Sequence, residues 1–283
     1  MAGLLEAFRQ ELSKLGWIEG KNFTIEYRFA ENKGSERLPE LAADLVRLKV
    51  DVIVAASQGA ASAKKASTTI PIVMTNAVDP VGARLVASLA QPGGNVTGLS
   101  ALSPELNSKR LEILKDAVPK LARVGLLRPS AASLQMKEIR PAAVALKLKL
   151  EEIETQTDAK GLESAFKTAK QKQVNAIMTI TSSRFFGERK RIVELAGKYR
   201  LPAIYFQKEF VDEGGLMSYG VDSTDLFRRA AVYVDKILKG AKPGDLPVQQ
   251  ATKFEFVINL KAAKQIGLTI PVRVPERANK VIK

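Results

Sequence analysis

Four short polar turns contain the residues of this sequence whose types and spacing could do chemistry. Each separates an apolar run of strand length from a helix-like run, and they are SQGA (57–60), TNAVDP (75–80), RPSA (128–131) and TSSRFF (181–186). Hydroxyl, amide and carboxylate groups in such turns can orient a small polar molecule, and helix N-termini favour anions such as carboxylates. In an open parallel sheet these turns lie outside the carboxyl ends of the strands. The pattern therefore predicts recognition of a small molecule.

Each turn also has a purely structural interpretation. Ser57 and Ser182 are good N-caps, and Asp79 followed by Pro80 is a typical helix start. Phe185, at the start of a helix-like run, could pack in a core or face a binding site. The same kind of turn recurs at the same topological position, twice in each half of the chain, and this recurrence favours the functional interpretation.

Catalytic chemistry has little support in the composition. The chain contains no His and no Cys, so zinc sites, thiol catalysis and serine–histidine triads lack their ligands or bases. Carboxylate pairs such as Glu151/Glu152 are expected to be solvated, and QPGGNVTG (91–98) lacks the G-x-G-x-x-G spacing of dinucleotide sites. We therefore expect no catalytic residue, no metal site, no cofactor and no enzyme activity.

The net charge of +14 suggests a nucleic-acid partner at first sight. The Lys and Arg residues are, however, spread over many helix-like segments. The densest cluster, ERKRIV (188–193), lies in an amphipathic pattern whose basic face is expected to be solvated. No run of aromatic residues alternates with basic ones, and no recognisable nucleic-acid motif is present. We expect no nucleic-acid binding.

Strand-like and helix-like segments alternate along the chain, which indicates an α/β protein with parallel βαβ units. The expected strands are 22–30, 51–56, 70–75, 96–100, 123–128, 150–154, 175–180, 202–206 and a short one within 214–222. The expected helices are 3–15, 37–49, 60–66, 79–90, 103–120, 131–147, 158–172, 185–199 and 225–240. No apolar run approaches the ~20 residues that cross a bilayer.

The two halves of the chain share one architecture. Residues 50–75 and 174–206 both run strand, polar turn, helix and strand, and the second strand follows Ile-Pro or Leu-Pro. A chain of 283 residues also exceeds the usual size of a single core. We therefore expect two doubly wound, Rossmann-like lobes.

The order of these motifs resembles the substrate-binding proteins of ABC transporters with the type I periplasmic binding fold. The resemblance is strongest to the branch that includes tryptophan- and other amino-acid-binding components. The segments that carry it are 15–31, 41–57, 70–100, 109–119, 201–220 and 237–268. They cover most of the chain, and DPVGARLVASLAQPGGNVTG (79–98) is the most specific of them.

This resemblance implies two lobes joined by three crossovers, with a ligand cleft between the lobes that closes by a hinge motion. The crossovers map near 98–104, 217–222 and 247–254. The implied N-terminal lobe contains 1–100 and 221–248, and the implied C-terminal lobe contains 101–220 and 249–283. A ligand that touches both lobes only in the closed state would shift the population toward closure.

The function implied by the resemblance is that of an extracytoplasmic solute-binding component of an ABC importer. Its ligand would be an amino acid or an aromatic or carboxylate-bearing compound, and its protein partners would be the permease subunits. The location would be periplasmic or otherwise extracytoplasmic, with membrane contact only through the transporter or through a lipid anchor absent from this chain. The alternative is a ligand sensor or regulatory protein of the same fold without a transport role.

The residues expected to bind the ligand lie in the polar turns and near the crossovers. They are Ser57, Gln58, Gly59, Thr75, Asn76, Asp79, Ser100, Arg128, Ser130, Thr181, Ser182, Phe185, Tyr205 and Tyr219. Helix N-termini and hydroxyls would hold a carboxylate, and Asp79 would face an ammonium group. Phe185 or Tyr205 would contact an aromatic or apolar part of the ligand.

One departure from the family pattern concerns the first strand. Family members have a leader and a strand before the helix that corresponds to 3–15, and this sequence starts at that helix. A missing central strand would expose the hydrogen-bonding groups of its neighbours and remove one ligand-contacting turn. We expect that the start is truncated or that another segment takes this position.

Overall fold

The computed structural model describes residues 2–30, 36–101, 105–129 and 133–283. The helices are α1 (Ala2–Lys14), α2 (Leu38–Arg47), α3 (Ser57–Ala66), α4 (Glu105–Ala117), α5 (Ser133–Ala145), α6 (Ala159–Gln171), α7 (Ser183–Gly187), α8 (Arg189–Lys198), α9 (Glu209–Asp212), α10 (Ser223–Leu238) and α11 (Leu260–Gln265). The strands are β1 (Ile53–Ala55), β2 (Ile72–Ala77), β3 (Val96–Ser100), β4 (Arg123–Arg128), β5 (Lys149–Glu154), β6 (Ala176–Thr179), β7 (Ala203–Tyr205), β8 (Met217–Val221), β9 (Gln249–Gln250), β10 (Phe254–Asn259) and β11 (Lys280–Ile282). Within these ranges, no helix is both long and apolar enough to cross a membrane.

Contacts within the chain divide it into two units. Unit 1 consists of Met1–Leu102 and Asp222–Lys253, and unit 2 consists of Ser103–Val221 and Phe254–Lys283. The last boundary falls after residue 253, a few residues later than the sequence suggested. The reason is that β9 pairs with β3, which keeps residues 249 and 250 in the sheet of unit 1.

Unit 1 is built on a parallel sheet with the strand order β1-β2-β3-β9. Helix α1 packs against α10, and α2 packs against α3. Helix α10 begins where the side chain of Asp222 accepts a hydrogen bond from the backbone N–H of Asp225, 3.1 Å away. Such a cap supplies a partner to an N–H group that the first helical turn leaves unpaired.

Unit 2 is built on a larger sheet with the strand order β11-β10-β8-β7-β6-β4-β5. Strands β4 to β8 run parallel, whereas β10 is antiparallel to β8 and β11 runs parallel to β10. One continuous apolar core includes Leu114, Leu127, Phe166 and Ile204. The parallel strands end together at one edge of the sheet, which brings the segments that follow them to the same side.

The expected strand at 22–30 is wrong. Residues 24–30 form no strand pairing, and the preceding pair Glu19 and Phe23 forms only an isolated bridge. The alternating side chains pack locally instead of in a sheet: the rings of Tyr27 and Phe29 stack with centroids 5.9 Å apart. A strand needs a hydrogen-bonding neighbour, and no described strand of unit 1 pairs with this segment.

The expected helix at 79–90 is also wrong. The side chain of Asp79 accepts a hydrogen bond from the N–H of Gly82 at 2.8 Å, which closes a single turn. Arg84 then adopts a left-handed backbone conformation with φ 55°, which a right-handed helix cannot continue. Leu85 and Val86 are nevertheless buried, so core contacts rather than helical periodicity explain the hydrophobic residues here.

The expected helix at 185–199 is two shorter helices. Ser182 caps α7, and α7 and α8 are separated at Glu188. The remaining strands and helices of the parallel pattern form within a few residues of the expected positions, and the expected α/β alternation is observed.

Candidate functional site

The candidate site of unit 2 lies at the carboxyl edge of its parallel strands. Arg128 ends β4, Thr181 follows β6, and Tyr219 is the central residue of the short strand β8. Thr181 and Tyr219 are both half-buried. The topology thus brings these three predicted site residues, which are far apart in sequence, to one edge of the sheet.

Arg110 of α4 connects residues of two strands at this edge of the sheet. It was not among the predicted site residues. Its Nε donates a hydrogen bond to the backbone oxygen of Tyr219 at 2.7 Å, and its Nη1 donates to Thr181 Oγ1 at 3.4 Å. Nη1 also donates to Asn107 Oδ1 at 2.9 Å. One guanidinium therefore contacts both a residue that follows β6 and a residue within β8.

The charge of Arg110 is buried, and no carboxylate among the described residues pairs with it. The residue is 2% exposed, and the groups it contacts are a carbonyl, an amide and a hydroxyl, all of which are neutral. Removal from water lowers the pKa of Arg110 to about 9. A buried cation is stabilised when an anion pairs with it, so this edge of unit 2 favours a ligand that carries negative charge.

Gln135 fixes the backbone beside this cation. Its Nε2 donates to the backbone oxygen of Thr181 at 2.9 Å, and its Oε1 accepts from the N–H of Thr181 at 3.0 Å. The side chain of Gln135 thus imitates a neighbouring strand and holds Thr181 from both sides. Rigid support of this kind lets a binding residue keep its orientation when no ligand is bound.

Arg128 and the two serines of the predicted set occupy different situations. The guanidinium of Arg128 pairs with Glu152 at 3.2 Å and with Glu154 at 3.1 Å, so neighbouring carboxylates on β5 compensate its charge. Ser182 Oγ accepts a hydrogen bond from the N–H of Phe185 at 3.5 Å, as an N-cap does. Ser130 lies outside the described residues.

Phe185 and Tyr205 belong to the hydrophobic core of unit 2 rather than to an exposed edge. Both are 0% exposed. The ring of Tyr205 stacks on Phe210 with centroids 4.7 Å apart, and burial raises the pKa of its hydroxyl. In this structure neither ring offers surface to a ligand, and a contact of either ring with a ligand stays a prediction.

In unit 1, predicted residues of β2 and β3 come together at the carboxyl edge of the sheet. Thr75 is 1% exposed, and its hydroxyl has no hydrogen-bond partner among the described residues. Asn76 is half-buried in the same strand. Ser100, at the end of β3, is buried and donates from Oγ to the backbone oxygen of Ala77 at 3.1 Å. A buried hydroxyl without a partner is costly, and a polar ligand group would relieve that cost.

The turn before α3 supplies the other predicted residues of unit 1. Ser57 begins the helix, although its side chain lies outside the described residues, and Gln58 is exposed. At Gly59 a Cβ would stand 3.2 Å from the Cβ of Ala55, so a small residue lets the helix start close to β1. Asp79 is half-buried, and one of its carboxylate oxygens caps the turn at Gly82.

A sequence signal for Arg110 exists in the helical pattern of α4. The buried positions of this helix are Leu106, Asn107, Arg110, Leu111, Ile113, Leu114 and Ala117, which recur at the spacing of a single helix face. Arg110 is the one charged residue of that face. A basic residue in a mostly apolar stripe indicates a buried cation and thereby a candidate anion site.

Two other features of the described residues lie outside this site. A groove of about 510 Å³ in unit 1 is lined by residues of α1 together with Tyr27 and Phe29, and it shares no residue with the candidate site. Across the described ranges, no group of three or more acidic side chains is placed to hold a metal ion.

Comparison with known proteins gives concordant matches over the whole chain. A family model described as ABC transporter substrate binding protein matches residues 1–282. A tyrosine-binding protein of Clostridioides difficile is 28% identical over 268 residues, which are 93% of this chain and 76% of that protein.

Two solved structures are similar over almost their full length. A conserved domain protein from Vibrio cholerae is 32% identical, with a TM-score of 0.88 over 98% of this chain and 95% of that chain. An ABC domain in complex with L-Trp from Streptococcus pneumoniae is 27% identical, with a TM-score of 0.89 over 99% of this chain and 95% of that chain.

Proposed function

The chain belongs to the family of ABC transporter substrate binding proteins, and from that premise we propose that it is the ligand-binding component of an ABC importer for an aromatic amino acid. The two-lobed type I periplasmic binding fold predicted from the sequence is confirmed by the structural matches. The family and these relatives are substrate-binding proteins and not enzymes.

The buried cation of Arg110 is the observation that carries the proposal. Its guanidinium contacts Thr181 and the backbone of Tyr219, two residues of the predicted site, and no carboxylate among the described residues compensates it. The α-carboxylate of an amino acid bound beside Thr181 would supply the missing negative charge. Arg110 acts in this proposal as an electrostatic support, since little of it is exposed for direct contact.

The similar proteins support the aromatic part of the proposal. One relative is named a tyrosine-binding protein, and one structural match was solved in complex with L-Trp. Both are under a third identical to this chain, so the choice between tyrosine, tryptophan and related aromatic carboxylates is a matter for measurement. The extracytoplasmic location and the closure of two lobes are part of the same proposal.

Calorimetric titration with L-tyrosine and L-tryptophan tests the ligand class. We expect binding by wild type and a loss of about 10- to 100-fold in affinity for Arg110→Gln, because the buried positive charge that would stabilise the ligand carboxylate is removed. Arg191→Gln is the matched control in the same unit, and its affinity should stay within about threefold because Glu163 and Glu194 already compensate Arg191 away from the candidate site.

An analogue without the carboxylate makes this comparison more specific. Tyramine, which lacks the carboxylate, should bind weakly and should not distinguish Arg110→Gln from wild type. An Arg110→Gln protein that is folded and binds L-tyrosine as tightly as wild type would contradict the role of Arg110. Binding of neither amino acid by wild type would contradict the proposed ligand class.

A reconstituted transporter tests the transport role. Ligand-loaded protein should stimulate ATP hydrolysis by the importer in membranes, and the ligand should appear inside the vesicles. A regulatory protein of the same fold would bind its ligand and leave hydrolysis unchanged.

A further inference from the structure

The positive charge of this chain is concentrated in unit 2. Unit 2 contains 27 Lys and Arg against 16 Asp and Glu, a net charge of +11, whereas unit 1 contains 17 against 14, a net charge of +3. The ligand proposal above uses one buried arginine and leaves this asymmetry unexplained.

Six exposed cations of unit 2 lie at the edge of its sheet where the parallel strands begin. They form the basic rim, which consists of Lys115, Lys120, Lys147, Lys170, Lys172 and Arg200. Helices α4, α5, α6 and α8 all run back to this edge and end there, immediately before β4, β5, β6 and β7. The rim is thus opposite the edge that contains Thr181 and Tyr219.

Contacts between neighbouring turns hold the rim together. Lys115 Nζ donates to the backbone oxygen of Leu146 at 2.7 Å, next to Lys147. Arg123 Nη1 donates to the backbone oxygen of Lys172 at 3.3 Å. These bonds link the ends of α4 and α5 and the start of β4 to the end of α6, so the cations sit on connected backbone rather than on separate loops.

The rim has little compensating negative charge. Lys120, Lys147, Lys170 and Arg200 have no carboxylate partner in the part of the chain that the structure describes. The nearby acids are already engaged by two cations each: Asp116 by Arg273 and Arg277, and Glu151 by Lys149 and Lys172. The rim therefore presents a net positive potential.

Three rim cations occupy backbone positions that favour glycine. Lys120, Lys147 and Arg200 follow the ends of their helices by two or three residues and have left-handed φ angles of 59°, 54° and 50°. A cation at a helix C-terminus gains some stability from the helix dipole. That effect accounts for individual residues but not for six exposed cations at one edge with so few acids among them.

Two exposed valines flank the rim. Val144 and Val272 are 77% and 75% exposed, the highest values among the exposed large hydrophobic residues of the described chain. Val144 lies in the last turn of α5, just before Lys147, and Val272 precedes Arg273, which reaches Asp116 at the end of α4. Small apolar side chains beside exposed cations suit an interface between water and lipid.

We propose that the basic rim of unit 2 docks on an anionic phospholipid surface, with Val144 and Val272 at the level of the headgroups. An acidic protein partner fits less well, because protein interfaces are centred on aromatic and apolar contacts. The aromatic residue next to the rim, Tyr199, instead stacks on Phe166 and donates to Glu163. Docking by this edge leaves the carboxyl edge of unit 2 directed away from the lipid.

Sedimentation with vesicles tests this docking. Wild type should bind vesicles of equal parts phosphatidylglycerol and phosphatidylcholine at about 50 mM NaCl and should be released at about 500 mM, where charges are screened. It should not bind vesicles of phosphatidylcholine alone. Failure to bind the anionic vesicles at low salt would overturn the proposal.

Glycine variants separate docking from folding. Lys147→Gly/Arg200→Gly removes two rim cations at left-handed positions that glycine adopts without strain, so the fold should persist while vesicle binding falls roughly tenfold or more. Lys49→Gly/Arg84→Gly is the matched control, since it removes one lysine and one arginine from left-handed positions of unit 1.

The outcomes divide clearly. A control that lowers binding as much as the rim variant would show that net charge alone acts, and would overturn the proposal. If duplex DNA competes with vesicles at equal charge concentration, the rim binds polyanions in general and not lipid. If the rim variant changes only the stimulation of the transporter, the rim binds an acidic protein. Either result would overturn the proposal. Vesicle binding is measured without ligand, so its result does not depend on the proposed function.

Discussion

Arg110 and Tyr219 are 109 residues apart in sequence and are joined by a 2.7 Å hydrogen bond from the guanidinium Nε to the backbone oxygen. The bond ties the middle of α4 to the middle of β8 and places a buried cation near the carboxyl edge of the sheet. The electrostatics of the candidate site therefore depend on a residue of a helix interior rather than on a loop.

This arrangement predicts a pH dependence of ligand binding. Burial lowers the pKa of Arg110 to about 9, and a ligand carboxylate nearby would raise it again by favouring the charged form. The complex then keeps a proton that the free protein loses, so affinity for L-tyrosine should fall as pH rises through that value. Calorimetry on either side of this pH measures the change.

The variant Arg110→Gln isolates this contribution, because the ligand's own groups titrate equally with both proteins. Its affinity should change less steeply with pH than that of wild type. Equal slopes for the two proteins would exclude Arg110 as the group responsible.

A change that removes the charge of Asp79 should separate its proposed contact with the ligand ammonium group from its hydrogen bond with Gly82. Asp79→Asn keeps an oxygen that can accept the 2.8 Å hydrogen bond from Gly82 but removes the negative charge. If Asp79 faces the ammonium group, affinity for L-tyrosine should fall by about tenfold or more. Affinity for 3-(4-hydroxyphenyl)propionate, which lacks the amine, should stay the same in the titration. An equal loss for both ligands would indicate that the turn itself was disturbed.

Gly98 should tolerate no side chain. Its φ is +124°, and a Cβ would collide with the backbone of Met74 on the neighbouring strand. Gly98→Ala should lower the free energy of unfolding by about 2–4 kcal/mol, measured by urea denaturation. Gly94→Ala serves as the control, because nothing lies within 4 Å of its Cβ position and its φ is not in the left-handed region. A similar loss in both variants would contradict the close-approach explanation.

Trp17 should report the protonation of Asp235. The indole Nε1 donates to Asp235 Oδ1 at 2.9 Å. Burial pushes the pKa of this carboxyl upward, but hydrogen bonds from Lys239 and Trp17 outweigh it and leave the pKa below its usual range. A lowered carboxyl pKa contributes stability that is complete above about pH 4 and is lost as pH falls through the folded-state value.

Trp17→Phe should therefore cost about 1–3 kcal/mol at neutral pH and less in acid. Urea midpoints followed by circular dichroism measure both, and a cost that does not change with pH would rule out the proposed pairing. The chain has one Trp, so its fluorescence in wild type should change over the same acid range.

The sequence was sufficient for the alternation of strands and helices and for the topological position of the polar turns. It was not sufficient where structure depends on a distant partner. Residues 22–30 have the alternation of a strand but no neighbouring strand, and residues 79–90 have helical hydrophobic spacing that Arg84 interrupts. Local pattern measures what a segment favours, whereas pairing and core contacts decide what it forms.

The candidate site shows the same limit. The position of Thr75 and Thr181 next to strand ends follows from chain order. Tyr219 was expected only because the family resemblance places a crossover near it. The contacts of Arg110 with Thr181 and Tyr219 join residues far apart in sequence, so the pattern of α4 alone does not predict them. Phe185 and Tyr205 were assigned to the ligand because of their residue type, whereas their burial depends on Phe210 and other residues that only the folded chain brings near.

Unit 1 takes its final helix and strand from a part of the chain that follows residue 221. The apolar side of α1, with Phe8 and Leu12, is covered by α10, which leaves the ribosome some two hundred residues later. During synthesis, this first helix therefore waits with its hydrophobic side uncovered and accessible to chaperones. Because such distant contacts also slow folding, unit 1 completes its core only after most of the chain has been made.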